Sequence, residues 1–470
     1  MRLDLLSLRL SIAVPLWLIA CAAAFAPPAP RLTTKPDRIV LNCTSDPAHS
    51  ACVTWRTDAT VFSAVAQISP AQPGPRLTKS ARPIAALTKP LTMDGVAAHF
   101  HTSVFDNLTP STRYCYRVGD GIVWSEWITF ETASDKAEPF SFVFLGDAQN
   151  DIRKHWSRLI REAYRTAPNA RFFLHGGDLV NLGESDSEWG EWFEAGGWIH
   201  STIPVAAIPG NHEYLFKLTP MWKTQFPIPD NGPPGLRESV YYVDCQGMRL
   251  ICLDSNQKPE SQAPWLEKTL RESTAQWNVV ALHHPIVRST GGASPVDPSW
   301  RPILDNHRVD LVLQGHEHIY ARSGLMGPGG KSGPVFVTSV SGPKLYPLRK
   351  EDWMRRSAQG IQLFQVIRID GDRLMYEART AAGELFDGFE LRRNPDGKSN
   401  TLTEDPSFKY PSSVEESTAF SDDVSMRPPV RPNAAATPPA ESSAGLALTL
   451  IAVVVGLLLL LSAGRRRGRG

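Results

Sequence analysis

Val309-Asp310-Leu311-Val312-Leu313-Gln314-Gly315-His316-Glu317-His318 is an apolar run, short enough for a buried strand, that runs directly into a glycine and two histidines. Four more apolar runs end in the same way. Residues 142–145 lead into Gly146-Asp147-Ala148-Gln149, and 171–174 into Gly177-Asp178-Leu179-Val180-Asn181. Residues 205–208 lead into Gly210-Asn211-His212-Glu213, and 279–282 into His283 and His284. Helix-like stretches at 153–165 and 263–273 fall between them, and further strand patterns follow at 335–338 and 362–369. This alternation predicts an α/β domain over 139–393. Ligand sites in open α/β sheets form at the carboxyl ends of strands. Strands ending in Asp, Asp, Asn, His and His therefore predict one convergent site. The glycine ahead of the polar residue in four of the five clusters is expected to let the chain turn sharply beneath it.

Carboxylate, amide and imidazole together suit Zn, Fe or Mn, and the lack of thiolate argues against a structural zinc site. Two ions ~3.5–4 Å apart need a shared carboxylate with ligands on either side. His316 and His318, two residues apart, can point at different ions. Taken singly, these signals are weak. A Gly-Asp pair is common in turns, and a lone histidine such as His283 is more often a core residue than a ligand. Trp189, Trp192 and Trp198, between the second and third clusters, read as core first and as cleft wall second. His175 reads as support behind the site. The specific signal is the whole set in this order, each member at a strand end.

Residues 36–134 have a different texture. Short alternating segments at 38–41, 51–55, 63–67, 100–104, 113–118 and 126–130 are separated by turn residues, the pattern of an all-β sandwich. Leu108-Thr-Pro-Ser-Thr-Arg-Tyr-Cys-Tyr116 resembles the corner of a fibronectin type III module, in which a tyrosine hydroxyl, here that of Tyr114, bonds back to the backbone. Trp55 is the expected core tryptophan. No chemistry is evident in this part. Residues 394–443 are rich in Pro, Ser, Thr and acidic residues and read as a flexible stalk.

The two ends read as targeting segments. Arg2 and Arg9 precede an apolar stretch at 10–18 and small residues at 20–24, so 1–24 is expected to be an export signal. Cys21 also fits a lipoprotein cleavage box; a signal peptide that discards it is the simpler reading. Residues 445–464 are apolar and span ~30 Å at ~1.5 Å per residue, close to a bilayer's hydrocarbon core. The tail at 465–470, with Arg465, Arg466, Arg467 and Arg469, follows at once, so a single membrane helix with a cytoplasmic basic tail is expected. That places the rest of the chain outside the cytoplasm. There, Cys43 and Cys52 could close a short loop. Cys245 and Cys252 flank a hairpin turn out of register and are not expected to pair, and Cys115 has no evident partner. Lys and Arg total 49 against 48 Asp and Glu, a formal net charge of +1, which offers no basic stripe for nucleic acid.

The five clusters resemble those of the metallophosphoesterase superfamily, in its purple acid phosphatase branch, which also carries a fibronectin-like domain before the catalytic one. The resemblance covers about 36–393. It implies a four-layer α/β/β/α catalytic fold. It implies that Asp147 and His318 bind a first metal, that Asp178 bridges two, and that Asn211, His283 and His316 bind the second. His212 contacts phosphate or protonates the leaving group, and His284 is a possible substrate contact. Two departures stand out. Asn181 occupies the position of the tyrosine that colours the purple enzymes, and Gln149 occupies that of a histidine used by other members. Either amide could donate an oxygen to the first metal or stand behind it. The implied function is hydrolysis of small phosphate monoesters by water at two ions of Fe, Zn or Mn. The same motifs serve phosphodiesterases and nucleotidases. The rival of another class is a surface binding protein with a degenerate phosphatase domain.

Overall fold

The computed structural model describes residues 32–404, apart from 215, 258, 290–293, 295, 331 and 396–398. Strands β1 (Asp37–Asn42), β2 (Ala51–Asp58), β3 (Val65–Pro70), β4 (Arg82–Ala85), β5 (Leu87–Met93), β6 (Val96–Phe105), β7 (Arg113–Gly119) and β8 (Ile128–Glu131) form the N-terminal β-rich domain. Its core holds Trp55, Phe105, Tyr116 and Phe130. The Tyr114 hydroxyl accepts the Thr109 N–H at 2.9 Å, closing the expected corner.

The α/β region follows with β9 (Phe140–Leu145), β10 (Phe173–His175), β11 (Val205–Ala207), β12 (Tyr241–Cys245), β13 (Met248–Cys252), β14 (Trp277–Leu282) and β15 (Leu311–Gln314). It continues with β16 (Tyr320–Ser323), β17 (Val335–Thr338), β18 (Met354–Ala358), β19 (Leu363–Asp370), β20 (Arg373–Thr380), β21 (Leu385–Arg393) and β22 (Asn400–Glu404). Side chains alternate across each strand, so one strand serves two cores. Phe142 and Phe144 of β9 meet Val279 and Ala281 of β14 in the core between two sheets. Val143 and Leu145 face the other way, onto Leu159, Ile160 and Trp192 from helices Ser157–Thr166 and Asp186–Gly196. Val280 and Leu282 likewise pack on Leu266, Leu270 and Leu304 from helices Pro259–Arg271 and Trp300–Asn306. Burial on both faces explains why the parallel strands read as continuous apolar runs.

One sheet of the sandwich does not end at the domain boundary. Its strands β1, β2, β6 and β5 continue a sheet of the α/β region in an 11-stranded order, β22-β21-β20-β19-β9-β10-β11-β1-β2-β6-β5. The seam is one parallel pairing, Asn42 with Val205, extended by the Cys43 N–H donating to Val205 O at 2.9 Å. Among the described residues, the other sheet of the α/β region has seven strands and the sandwich's second sheet has four.

Other expectations change. Cys43 and Cys52 form no disulfide; all five described cysteines are buried and free. Cys43 turns instead into the inter-sheet core beside Cys245 and Cys252. Trp189 and Trp192 are core residues, whereas Trp198 is 56% exposed, packed on its edge by Tyr164. His175 joins a buried cluster with Trp156, Trp192 and His200. Among the described residues no helix is long and apolar enough to cross a membrane. The stalk expected from residue 394 begins too early, because Asn400–Glu404 form β22 and pair with β21 at the sheet edge. The export signal, Cys21, the membrane span, the basic tail and the rest of the stalk lie outside the described residues.

Buried charges and a tyrosine join the two regions. Arg56 forms a bidentate pair with Asp37 at 2.7 and 2.8 Å and reaches Asp186 at 2.8 Å, where Arg38 also binds at 2.8 Å. The Tyr116 hydroxyl donates to Ser201 O at 2.6 Å. Asp186→Ala leaves two buried guanidinium groups without this carboxylate. It is expected to cost roughly 3 kcal/mol, with the sandwich and α/β cores still melting together. Denaturant unfolding with calorimetry checks this; two separate transitions would show that the regions fold independently.

Candidate metal centre

The five polar clusters follow β9, β10, β11, β14 and β15, and their side chains meet. Asp178 is the common member. Its Oδ2 lies 3.2 Å from His283 Nε2, 3.1 Å from Gln149 Nε2 and 3.9 Å from His212 Nε2. Its Oδ1 accepts the His212 backbone N–H at 2.9 Å. Asp147 Oδ2 lies 3.1 Å from His318 Nε2, and its carboxylate accepts the His316 N–H at 2.9 Å. Asn211 Oδ1 stands 2.9 Å from His316 Nδ1 and 3.2 Å from His283 Nε2. Two groups of donor atoms result, each with its atoms within 4.8 Å of one another: Asp178, His283 and His316, and Asp147, Asp178 and His318. Asp178 belongs to both.

The backbone is bent to achieve this. Gly177 has φ 88°, and Asp178, His316 and His318 sit in the left-handed region at 50°, 70° and 49°, a conformation that costs free energy in non-glycine residues and gathers at functional sites. At Gly210 the requirement is space rather than a turn: a Cβ would stand 2.1 Å from Asp178 Oδ1.

The histidines are oriented from behind. His283 Nδ1 donates to Gly176 O at 2.9 Å, and His318 Nδ1 to Lys344 O at 2.6 Å, which turns each Nε2 toward the carboxylates. Burial alone would push His283 down, but Asp178 and Asp147 pull it up to about 10. Burial would push Asp178 up, but His283 and His212 hold it well below the carboxylate range. Burial and His283 push His316 down to about 4 and His284 to about 2. Two buried carboxylates, three inward ring nitrogens and an amide oxygen therefore call for positive charge. The oxygen and imidazole donors are those that bind first-row transition ions. The fully buried Gln149 Oε1, which has no hydrogen-bond partner, adds to that fit.

His212 is part-exposed. Its Nδ1 donates to Asn181 O at 2.6 Å, which leaves Nε2 facing Asp178. Asn181, Asn211, His212 and Tyr214 line a cleft of about 480 Å³ that reaches Asp94, in the turn between β5 and β6 of the sandwich. His284 contacts Ser255 Oγ at 2.9 Å through Nδ1, and its ring lies 4.3 Å from that of His316.

Residues with no assigned role in the sequence prove central. Glu213 is fully buried and accepts N–H bonds from Asp178 at 2.9 Å, Leu179 at 2.8 Å, Val180 at 3.4 Å and Gly210 at 2.7 Å. Burial and the Asp178 carboxylate push it up to about 8, against the Gly210 and Val180 N–H bonds and the His283 charge. Its only sequence signal was its place beside Asn211 and His212. Lys344 and Tyr346 left no signal: the Tyr346 ring stacks on His318 at 4.5 Å. Glu213→Gln puts an amide NH₂ against backbone N–H groups. It is expected to cost roughly 3 kcal/mol and to lower metal uptake together with stability. Melting curves and metal analysis of the same sample test this, and unchanged uptake would count against Glu213 as the support of Asp178.

Residues 140–320 match the calcineurin-like phosphoesterase family, and residues 36–132 match the purple acid phosphatase N-terminal domain. An uncharacterized protein of Mycobacterium tuberculosis is 29% identical over 263 residues, 46% of this chain and 49% of its own length. Acid phosphatase type 7 of Danio rerio is 25% identical over 266 residues, 48% of this chain and 57% of its own length. These alignments span about half the length of the relatives. A purple acid phosphatase from yellow lupin (Lupinus luteus) seeds shares the fold, with a TM-score of 0.67 at 18% identity, over 77% of this chain and 75% of that one. The chain thus carries a calcineurin-like phosphoesterase domain preceded by the N-terminal domain of the purple acid phosphatases.

Proposed function

We propose that this protein hydrolyses phosphate monoesters by direct attack of water, using two transition-metal ions of Fe, Zn or Mn. Asp147, Asp178 and His318 would hold one ion, and Asp178, Asn211, His283 and His316 the other. The observation that carries this reading is the sharing of Asp178 between two donor groups beside a part-exposed histidine. Such ions lower the pKa of water toward neutrality and offset charge on phosphate oxygens. The Asn181 carbonyl keeps a proton on His212 Nδ1, so the imidazolium form carries its second proton on Nε2, the atom facing the site. From there it can protonate a departing ester oxygen. His284, tied to Ser255, stands beside His316 and is the nearest further candidate to contact substrate. The cleft beyond His212 gives the leaving group room. We also place the catalytic region outside the cytoplasm, tethered by the apolar run before the four terminal arginines.

Asp178→Asn is expected to abolish turnover and reduce bound metal, because one carboxylate serves both donor groups. Full metal occupancy with wild-type turnover would remove this assignment. His212→Ala is expected to keep both ions and slow turnover by ~10²-fold or more, with less slowing for esters whose leaving groups need no proton. Rates across a leaving-group series test it, and equal slowing across the series would make His212 a phosphate-binding group instead. Comparing a monoester with a bis-ester decides between phosphomonoesterase and phosphodiesterase. A protein without bound transition metal would favour the binding-protein reading.

A further inference from the structure

Two amides, Gln149 and Asn181, occupy the sequence positions from which a fourth donor to the Asp147–Asp178–His318 group would come, and the structure separates them. Asn181 lines the cleft with His212, to which its carbonyl is bonded, and its N–H donates to Glu188 at 2.6 Å. Gln149 is fully buried against Asp178 and is not among the residues that line that cleft. Its Nε2 lies 3.1 Å from Asp178 Oδ2 and 3.1 Å from His318 Nε2. The Nδ1–H of His318 is committed to Lys344 O, so its Nε2 presents a lone pair. Asp147 Oδ2 stands 3.1 Å from the same nitrogen. The end of the Gln149 side chain thus meets the lone pairs of a shared carboxylate and a ring nitrogen, while Oε1 has no partner.

The two ends of a side-chain amide exchange by a half-turn about the last torsion, with almost no change in shape. That half-turn brings Oε1 to the atom position beside Asp178 Oδ2 and His318 Nε2. An amide oxygen among lone pairs is favourable only with a cation between them. We propose that Gln149 Oε1 is the fourth protein donor of the first metal site. This rests on the dinuclear reading above. The resulting set is three oxygens and one imidazole, without phenolate or a second imidazole, and oxygen-rich sets suit Mn²⁺. The second site, with two imidazoles and two oxygens, is the more nitrogen-rich. The chain therefore builds two unlike sites around one carboxylate, and the first is the more Mn²⁺-selective.

The test is Mn²⁺ and Zn²⁺ binding to the full-length chain, by titration calorimetry and by electron paramagnetic resonance of the Mn²⁺ pair. Wild type should take up two ions. Gln149→Leu should weaken one of them by ~10-fold or more and abolish the spin-coupled pair signal at matched Mn²⁺. Asn181→Leu should leave both affinities unchanged. Gln149→His should keep two ions and shift one site toward Zn²⁺ over Mn²⁺ by ~10-fold or more, a readout that stands even if the Leu variant misfolds. A wild type binding two ions, with unchanged affinities in Gln149→Leu or unchanged selectivity in Gln149→His, overturns the Gln149 assignment alone. A wild type binding fewer than two ions overturns both it and the dinuclear reading.

Discussion

Glu213 gathers four backbone N–H groups onto one buried carboxylate, and the geometry of the centre depends on that gathering. Three of the donors belong to the loop after β10 and the fourth to the loop after β11. The loops carry Asp178 on one side and Asn211 with His212 on the other. Buried backbone N–H groups need acceptors, and here a single acceptor fixes the distance between two ligand-bearing segments. It also sets a second carboxyl group behind Asp178, whose own affinity for a proton is raised by burial and by the Asp178 charge. Positive charge from metal or from imidazolium then stabilises the fold as well as serving chemistry. A reactive centre and a structural clamp are one object here.

The same economy appears at the seam between the sandwich and the catalytic region. Hydrogen-bond continuity through Asn42 and Val205 is slight, a single register pair. It is reinforced by groups that leave water on both sides: Arg56 and Arg38 around Asp186, and Tyr116 on Ser201. The helix that begins at Asp186 also supplies Glu188, which takes the Asn181 N–H. The sandwich is thus connected to the residue that orients His212 through one helix, within a few hydrogen bonds.

Much of the layout was legible in the sequence because its determinants are local. An apolar run ending in a metal-ligand residue needs no distant information, and the five runs become β9, β10, β11, β14 and β15 with the polar residues just beyond them. The tyrosine corner was legible for the same reason. What could not be read depends on partners far away in the chain. Glu213 looks like any acid until the loop after β10 is brought to it. Lys344 orients His318 through its carbonyl, an atom every residue possesses, so no side chain could betray the role. Cys43 and Cys52, near in sequence, were drawn to different neighbours by the register of β1 against β2 and the pull of the inter-sheet core. The fused sheet hangs on one backbone pairing with no side-chain signature. The role expected of the glycines shifted as well: at Gly210 what matters is the missing side chain against Asp178, not the freedom to turn.

The cleft beside His212 ends at Asp94, on a two-residue turn where Asp94 and Gly95 both take positive φ. That turn belongs to the sandwich, which contributes no metal ligand. One jaw of the cleft is therefore carried by a domain that supplies no member of either donor group. Surface turns of this kind tolerate replacement because they bury little and their backbone needs are met by many short sequences. Under the proposed phosphoesterase function, substrate range can thus drift by changes in a peripheral hairpin while the donor-bearing strand ends stay fixed, so that selectivity and reactivity are inherited through separate parts of the chain.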